Sequence, residues 1–95
     1  MQYMKATLLV RTKEIRDDGS IMEIVIWELP EPLPQCGHRY KYRLFHGIGG
    51  SCRVRYDNER GKGDHRHVGE KEAGYDFTSV EQLLDDFERD IGKGG

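Results

Sequence analysis

The segment Ile21–Leu29, I-M-E-I-V-I-W-E-L, decides how the rest of the chain is read. Strand side chains alternate, so Met22, Ile24 and Ile26 fall on one side and Ile21, Val25 and Trp27 on the other. A strand apolar on both faces belongs inside a sheet, or has its second face covered. Just before it, Asp17-Asp18-Gly19-Ser20 supplies turn chemistry. A hairpin is therefore expected with a strand over Lys5–Arg16, where Ala6, Leu8 and Val10 alternate with Lys5, Thr7 and Arg11. Just after it, Pro30, Pro32 and Pro34 remove amide donors and stop the ladder, leaving Leu29–Gly37 as a stiff connector.

Two more strands are expected. In Arg39–His46, Tyr40, Tyr42 and Leu44 oppose Arg39, Lys41 and Arg43. Gly47, Gly49 and Gly50 make a turn, and Ser51–Asp57 sets Cys52, Val54 and Tyr56 against Arg53 and Arg55. Near the end, Thr78 reads as a helix N-cap with Glu81 as its capping-box partner. Val80, Leu83, Leu84, Phe87 and Ile91 form an apolar stripe, with Asp85, Asp86, Glu88 and Asp90 on the remaining faces. Gly92 ends the helix, and residues 92–95 read as a disordered tail. The expected fold is α+β: a small antiparallel sheet of about four strands with one C-terminal amphipathic helix packed on one face. Leu83, Leu84 and Phe87 should pack on Leu8, Ile24, Tyr42 and Val54.

The chain has 95 residues, which leaves room for one core and a single domain over 1–95. Hydrophobic residues make up 36% and charged residues 34%, a polar balance. The apolar residues are clustered, which argues against disorder. A net charge of −2 removes bulk charge as an argument for nucleic-acid binding. The distribution is uneven, basic from Arg39 to Arg66 and acidic from Glu70 to Asp90. Cys36 and Cys52 have no metal-finger spacing and read as small buried thiols. With no signal-like leader and no membrane-length apolar run, the reading is cytoplasmic, reduced and without membrane contact.

The chemistry concentrates in Tyr56–His67, Y-D-N-E-R-G-K-G-D-H-R-H. So polar a stretch reads as a surface segment displayed by the scaffold. If the third and fourth strands pair, Arg39, Lys41, Arg43, Arg53 and Arg55 share a surface suited to phosphates, or one that is merely solvated. Gly61, Lys62 and Gly63 could converge amides and an ammonium on an anion, or form a plain turn. In an extended Asp64-His65-Arg66-His67, the two histidines project from the same face. Two imidazoles can act as base and acid, which is what metal-independent RNA cleavage needs. Lys62 and Arg66 would stabilise charge on the phosphate, and Asp57 or Asp64 would orient a histidine. A metal site of His65, His67 and Asp57 or Asp64 competes with this, as does a purely structural role. His38 and His46 read as surface histidines at the ends of the third strand, and Trp27 as core rather than a base-stacking platform.

The stretches DGSIMEIVIWELPEPLP (18–34), HRYKYRL (38–44), VRYDNERGKGDHRHVG (54–69) and YDFTSVEQLLDDFERDI (75–91) resemble the TumE-like family of small bacterial toxins of type II toxin–antitoxin systems. The resemblance implies growth inhibition, RNA as target, and a helix-turn-helix antitoxin encoded alongside. The family's shared polar positions fall on His38, Lys41, Tyr42, Tyr56, Asp57, Asn58, Gly61, Lys62, Gly63, Asp64, His65 and His67. The AGYDF segment lacks a proline that relatives often carry, and the HGIGGSC turn is individual. The expectation is a toxin acting on RNA, as a ribonuclease or translation inhibitor. His65, His67, Lys62, Asp64 and Asp57 are its candidate catalytic residues. Arg66, Gly61, Gly63 and the five cations of the sheet face are its candidate RNA contacts. The reading calls for no metal or cofactor and leaves a homodimer open. The rivals are a non-catalytic RNA- or protein-binding module and a metal-dependent nuclease.

Overall fold

The computed structural model describes residues 5–58 and 63–93. These form β1 (Thr7–Ile15), β2 (Ile21–Glu28), β3 (Tyr40–Ile48), β4 (Ser51–Asp57), β5 (His65–Val68), β6 (Lys71–Gly74) and α1 (Val80–Gly92). The strands make one antiparallel sheet in sequence order, β1-β2-β3-β4-β5-β6. The α+β expectation holds, but the sheet has six strands rather than about four. The two extra strands come from a region that reads as loop.

The turns explain the register. Gly49 and Gly50, with φ of 58° and 82°, make a two-residue turn between Ile48 and Ser51, a conformation that costs other residues dearly. Val68 pairs with Lys71 across Gly69-Glu70, where Gly69 has φ 63°. That glycine-first turn lets two four-residue polar strands pair at all.

One face of the sheet is covered by α1, which lies across β3 and β4. The core there is Ile24, Ile26, Tyr42, Leu44, Val54, Tyr56, Leu83 and Phe87, with Val10 and Leu84 packed at its margin. Burying each large apolar side chain contributes about 1.5–3 kcal/mol. Leu8 is not among them. It pairs with Trp27, whereas Val10 pairs with Ile26, so Leu9 is an extra residue at a β-bulge. The bulge turns Leu8 to the opposite face, and it is 41% exposed. Trp27 shares that face and is only half-buried, so it is not a core residue either.

The helix is capped by Ser79 rather than Thr78. Ser79 is extended, and its Oγ accepts from the Gln82 amide at 3.0 Å. The helix includes Gly92, and Lys93 closes it, so these two do not belong to the expected tail; residues 94–95 lie outside the described set. Asp86 and Asp90 turn inward, contrary to the expected polar coat. The Tyr56 hydroxyl donates to Asp90 Oδ2, and the Tyr75 hydroxyl donates to Asp86 Oδ2 at 2.6 Å. These bonds let two carboxylates lie buried against the sheet. Cys36 is half-buried and Cys52 exposed, both as free thiols.

Candidate active site

The segment Tyr56–His67 is not simply a surface loop. Tyr56 is fully buried and Asp57, Asn58 and His65 are nearly so. Asn58 continues β4 with its side chain, accepting from the Tyr42 amide at 3.0 Å and donating to the Tyr40 carbonyl at 2.6 Å. It thereby satisfies β3 where β4 runs out. Gly61 and Lys62 lie outside the described residues, so the proposed anion turn is described only at Gly63.

Strand alternation then sorts the polar residues onto two faces. Asp57 pairs with His65, and Arg55 with His67. Arg43 is opposite Asp57, and Glu72 is opposite His67. All of these face away from the helix, on what we call the open face. Lys41 lies opposite Trp27 on the same face. Arg66 pairs with Tyr56 and so points toward the helix. There it donates to the Tyr56 hydroxyl at 3.1 Å and lies 3.4 Å from Asp90. Asp64 accepts from Tyr42 at 2.6 Å and meets His38 at 2.9 Å. Arg66 and Asp64 therefore do not join the two histidines. Arg39 is exposed beside Glu28 at 3.4 Å, and Arg53 is the extra residue of a bulge. Of the five expected sheet cations, Lys41, Arg43 and Arg55 stand along the row of imidazoles.

The two histidines have contrasting neighbours. His65 Nε2 is 2.6 Å from Asp57 Oδ1, and its Nδ1 is 3.2 Å from the Gly63 carbonyl. Both ring nitrogens thus face acceptors. The contact with Oδ1 is close but poorly aligned, and that buried oxygen lacks a well-directed donor. Arg55 Nη2 lies 2.9 Å from His67 Nε2, and a guanidinium can only donate, so this nitrogen accepts. Glu72 Oε2 stands 3.2 Å from the same nitrogen, ready to accept if it gains a proton. The ring centroids are 6.0 Å apart. Such a pair, one ring among acceptors and the other facing a donor, is equipped to pass protons in opposite directions. Glu72 was missed because its strand is short and polar; the signal was Val68-Gly69-Glu70-Lys71, a two-residue turn.

His38 and His46 are not surface residues. Tyr40 donates its amide to His38 Nδ1 at 3.1 Å, so Nε2 carries the proton given to Asp64. The ring stacks on Phe77 at 4.0 Å. His46 is 9% exposed, and burial holds its pKa below the ordinary value. Burial, and then the Asp64 carboxylate, push the Cys36 thiol up to about 11, which removes it as a ready nucleophile.

Among the described residues, two sets of donors are close enough to share a metal ion, Cys36/His38/Asp64 and His65/His67/Glu72. Neither fits well as it stands. Both nitrogens of His38 already have hydrogen-bond partners. The Arg55 guanidinium lies against His67 Nε2, placing a fixed positive charge where a cation would coordinate.

A family model of a toxin matches residues 4–93, which places the chain in a known class of protein. The family is TumE, described as "Toxin TumE", and the chain belongs to it. Membership implies an antitoxin partner. No curated protein and no solved structure matches the chain. Among the described residues, no helix is long and apolar enough to cross a membrane.

Proposed function

We propose that this toxin acts on RNA, as a ribonuclease that needs no metal. The observation that carries the reading is the row on the open face, where His65 and His67 stand with Asp57, Arg55 and Arg43. Arg55 shifts its N–H from His67 Nε2 to the phosphate, and the freed nitrogen takes the 2′-hydroxyl proton. The freed 2′-oxygen attacks the adjacent phosphorus. The bond to the 5′-oxygen breaks as His65 protonates that leaving oxygen, giving a 2′,3′-cyclic phosphate. Arg55 and Arg43 offset the charge that builds on the phosphate, and Asp57 orients His65. Lys62, outside the described residues, remains a candidate phosphate contact. The antitoxin, as a helix-turn-helix protein, would be expected to cover this face, and the protein would work in the cytoplasm.

His67→Ala is the test. Induced in cells, it should lose growth arrest while the purified variant keeps its thermal midpoint; an equally toxic variant would remove the acid–base role. A second reading is favoured by the low exposure of His65, whose side chain is 10% accessible. In that reading the histidines only shape a cationic RNA-binding face. Reversing charge at Arg43 and Arg55 would then abolish toxicity, and His67→Ala would not.

A further inference from the structure

We propose that the cavity on the open face lined by Val25, Trp27, Lys41, Arg43 and Asp57 holds one unpaired base of single-stranded RNA, stacked on the Trp27 indole. The inference rests on the reading that RNA is the target.

The cavity encloses about 290 Å³. That is at the small end of the roughly 300–1,000 Å³ of small-molecule sites, and suits a single ring system rather than a peptide. Trp27, the chain's single tryptophan, is kept out of the core by its place in β2. It shares the open face with Val25, and the two give the cavity an apolar floor. Any base can stack on an indole, since every base has a π face. Lys41 and Arg43 also line the cavity, and their charges suit the phosphates on either side of a seated base. Arg43 also lies near Glu23, but at 3.7 Å and half-exposed the pair is weak and easily exchanged for a phosphate.

Asp57 joins this cavity to the imidazoles, because it lines the cavity and touches His65. An amine or ring N–H of a base is a donor of the right kind for a carboxylate. Three strand spacings of about 4.8 Å separate Trp27 on β2 from His65 on β5, and a base stacked on Trp27 with its edge toward Asp57 on β4 would cover part of that roughly 14 Å. One strand could therefore fill the cavity and still lay its backbone along Arg43, Arg55 and the histidines. An acidic protein segment would match the cations, but the stacking floor and the carboxylate at the far end favour a base.

The test uses Trp27 as its own reporter. The full chain is titrated with a 2′-O-methyl single-stranded hexamer, which lacks the attacking hydroxyl and survives, and with an abasic oligomer of equal length and charge. The hexamer should quench Trp27 emission saturably and the abasic oligomer should not. Trp27→Ala should weaken hexamer binding by about tenfold, read by anisotropy of a labelled oligomer. Trp27→Phe, which keeps a ring and the fold, should retain most of it. Hexamer binding with unchanged emission would overturn the proposal, as would equal binding of the abasic oligomer. Quenching by an acidic peptide but not by the hexamer would do the same. Absence of any RNA binding would overturn the RNA reading along with it. Quenching by the hexamer while unmodified RNA stays uncut would keep the base site and remove only the nuclease.

Discussion

The two faces of the sheet pair their carboxylates differently. On the helix side each meets a phenol: Asp90 with Tyr56, Asp86 with Tyr75, and Asp64 with Tyr42, Asp64 also meeting His38. On the open face Asp57 and Glu72 meet imidazoles, with Arg55 between them. Burial, and then the bond to Asp90, push the Tyr56 hydroxyl up to about 12, and burial raises Tyr42 and Tyr75 as well. Those phenols keep their protons at any physiological pH, so the helix face is a set of fixed bonds that hold the fold. Imidazole is the side chain whose charge ordinarily changes near neutrality, so the open face has groups that can exchange protons. The contrast teaches that buried polarity alone does not mark a site: His38 has both ring nitrogens tied up by Tyr40 and Asp64, whereas His67 meets a donor and an acceptor at one nitrogen.

If the helix face is structural, Phe87→Ala should be the most damaging change. Phe87 is fully buried, and truncation should cost about 3–5 kcal/mol, read by denaturant unfolding. On the open face, His67→Ala should cost about 10²–10⁴-fold in RNA cleavage with little effect on stability. Comparable unfolding in both variants would erase the distinction between the faces. Tyr56→Phe removes the hydroxyl donor to Asp90 and leaves it to Arg66 at 3.4 Å, which should cost about 1–3 kcal/mol with RNA cleavage unchanged.

Asp86 sharpens the same contrast through pH. Burial raises its pKa, but bonds from Tyr75, Gln82 and Arg89 outweigh this and hold it below the ordinary value of 3.8. The folded chain therefore takes up this proton less readily than the unfolded chain. The contribution is complete above about pH 4 and is lost as pH falls through the lowered value. Asp86→Asn should flatten the acid limb of a stability–pH curve there and leave neutral-pH RNA cleavage unchanged. The smallest effect is expected at Leu8, turned outward by the bulge. Leu8→Ser should shift stability by no more than about 0.5 kcal/mol.

Much of this was legible in the chain. Four strands and the helix follow from period-two and period-3.6 patterns, and the shared face of His65 and His67 follows from the same alternation. That rule also puts Arg66 on the other side, so its grouping with the histidines conflicted with the pattern that paired them. The β5–β6 hairpin was hidden because four-residue polar strands carry no apolar signature, and only Gly69 hints at the turn. The bulge at Leu9 could not be read, since Leu8, Leu9 and Val10 offer two apolar registers and pairing with β2 chooses between them. The inward turn of Asp86 and Asp90 depends on tyrosines distant in sequence.

The most direct measurement is incubation of purified wild-type and His67→Ala protein with total RNA in excess chelator. The account predicts that the wild type fragments the RNA, leaving 2′,3′-cyclic phosphate ends, and that the folded His67→Ala variant leaves it intact. RNA left whole by the wild type, or cut equally by both, would contradict it.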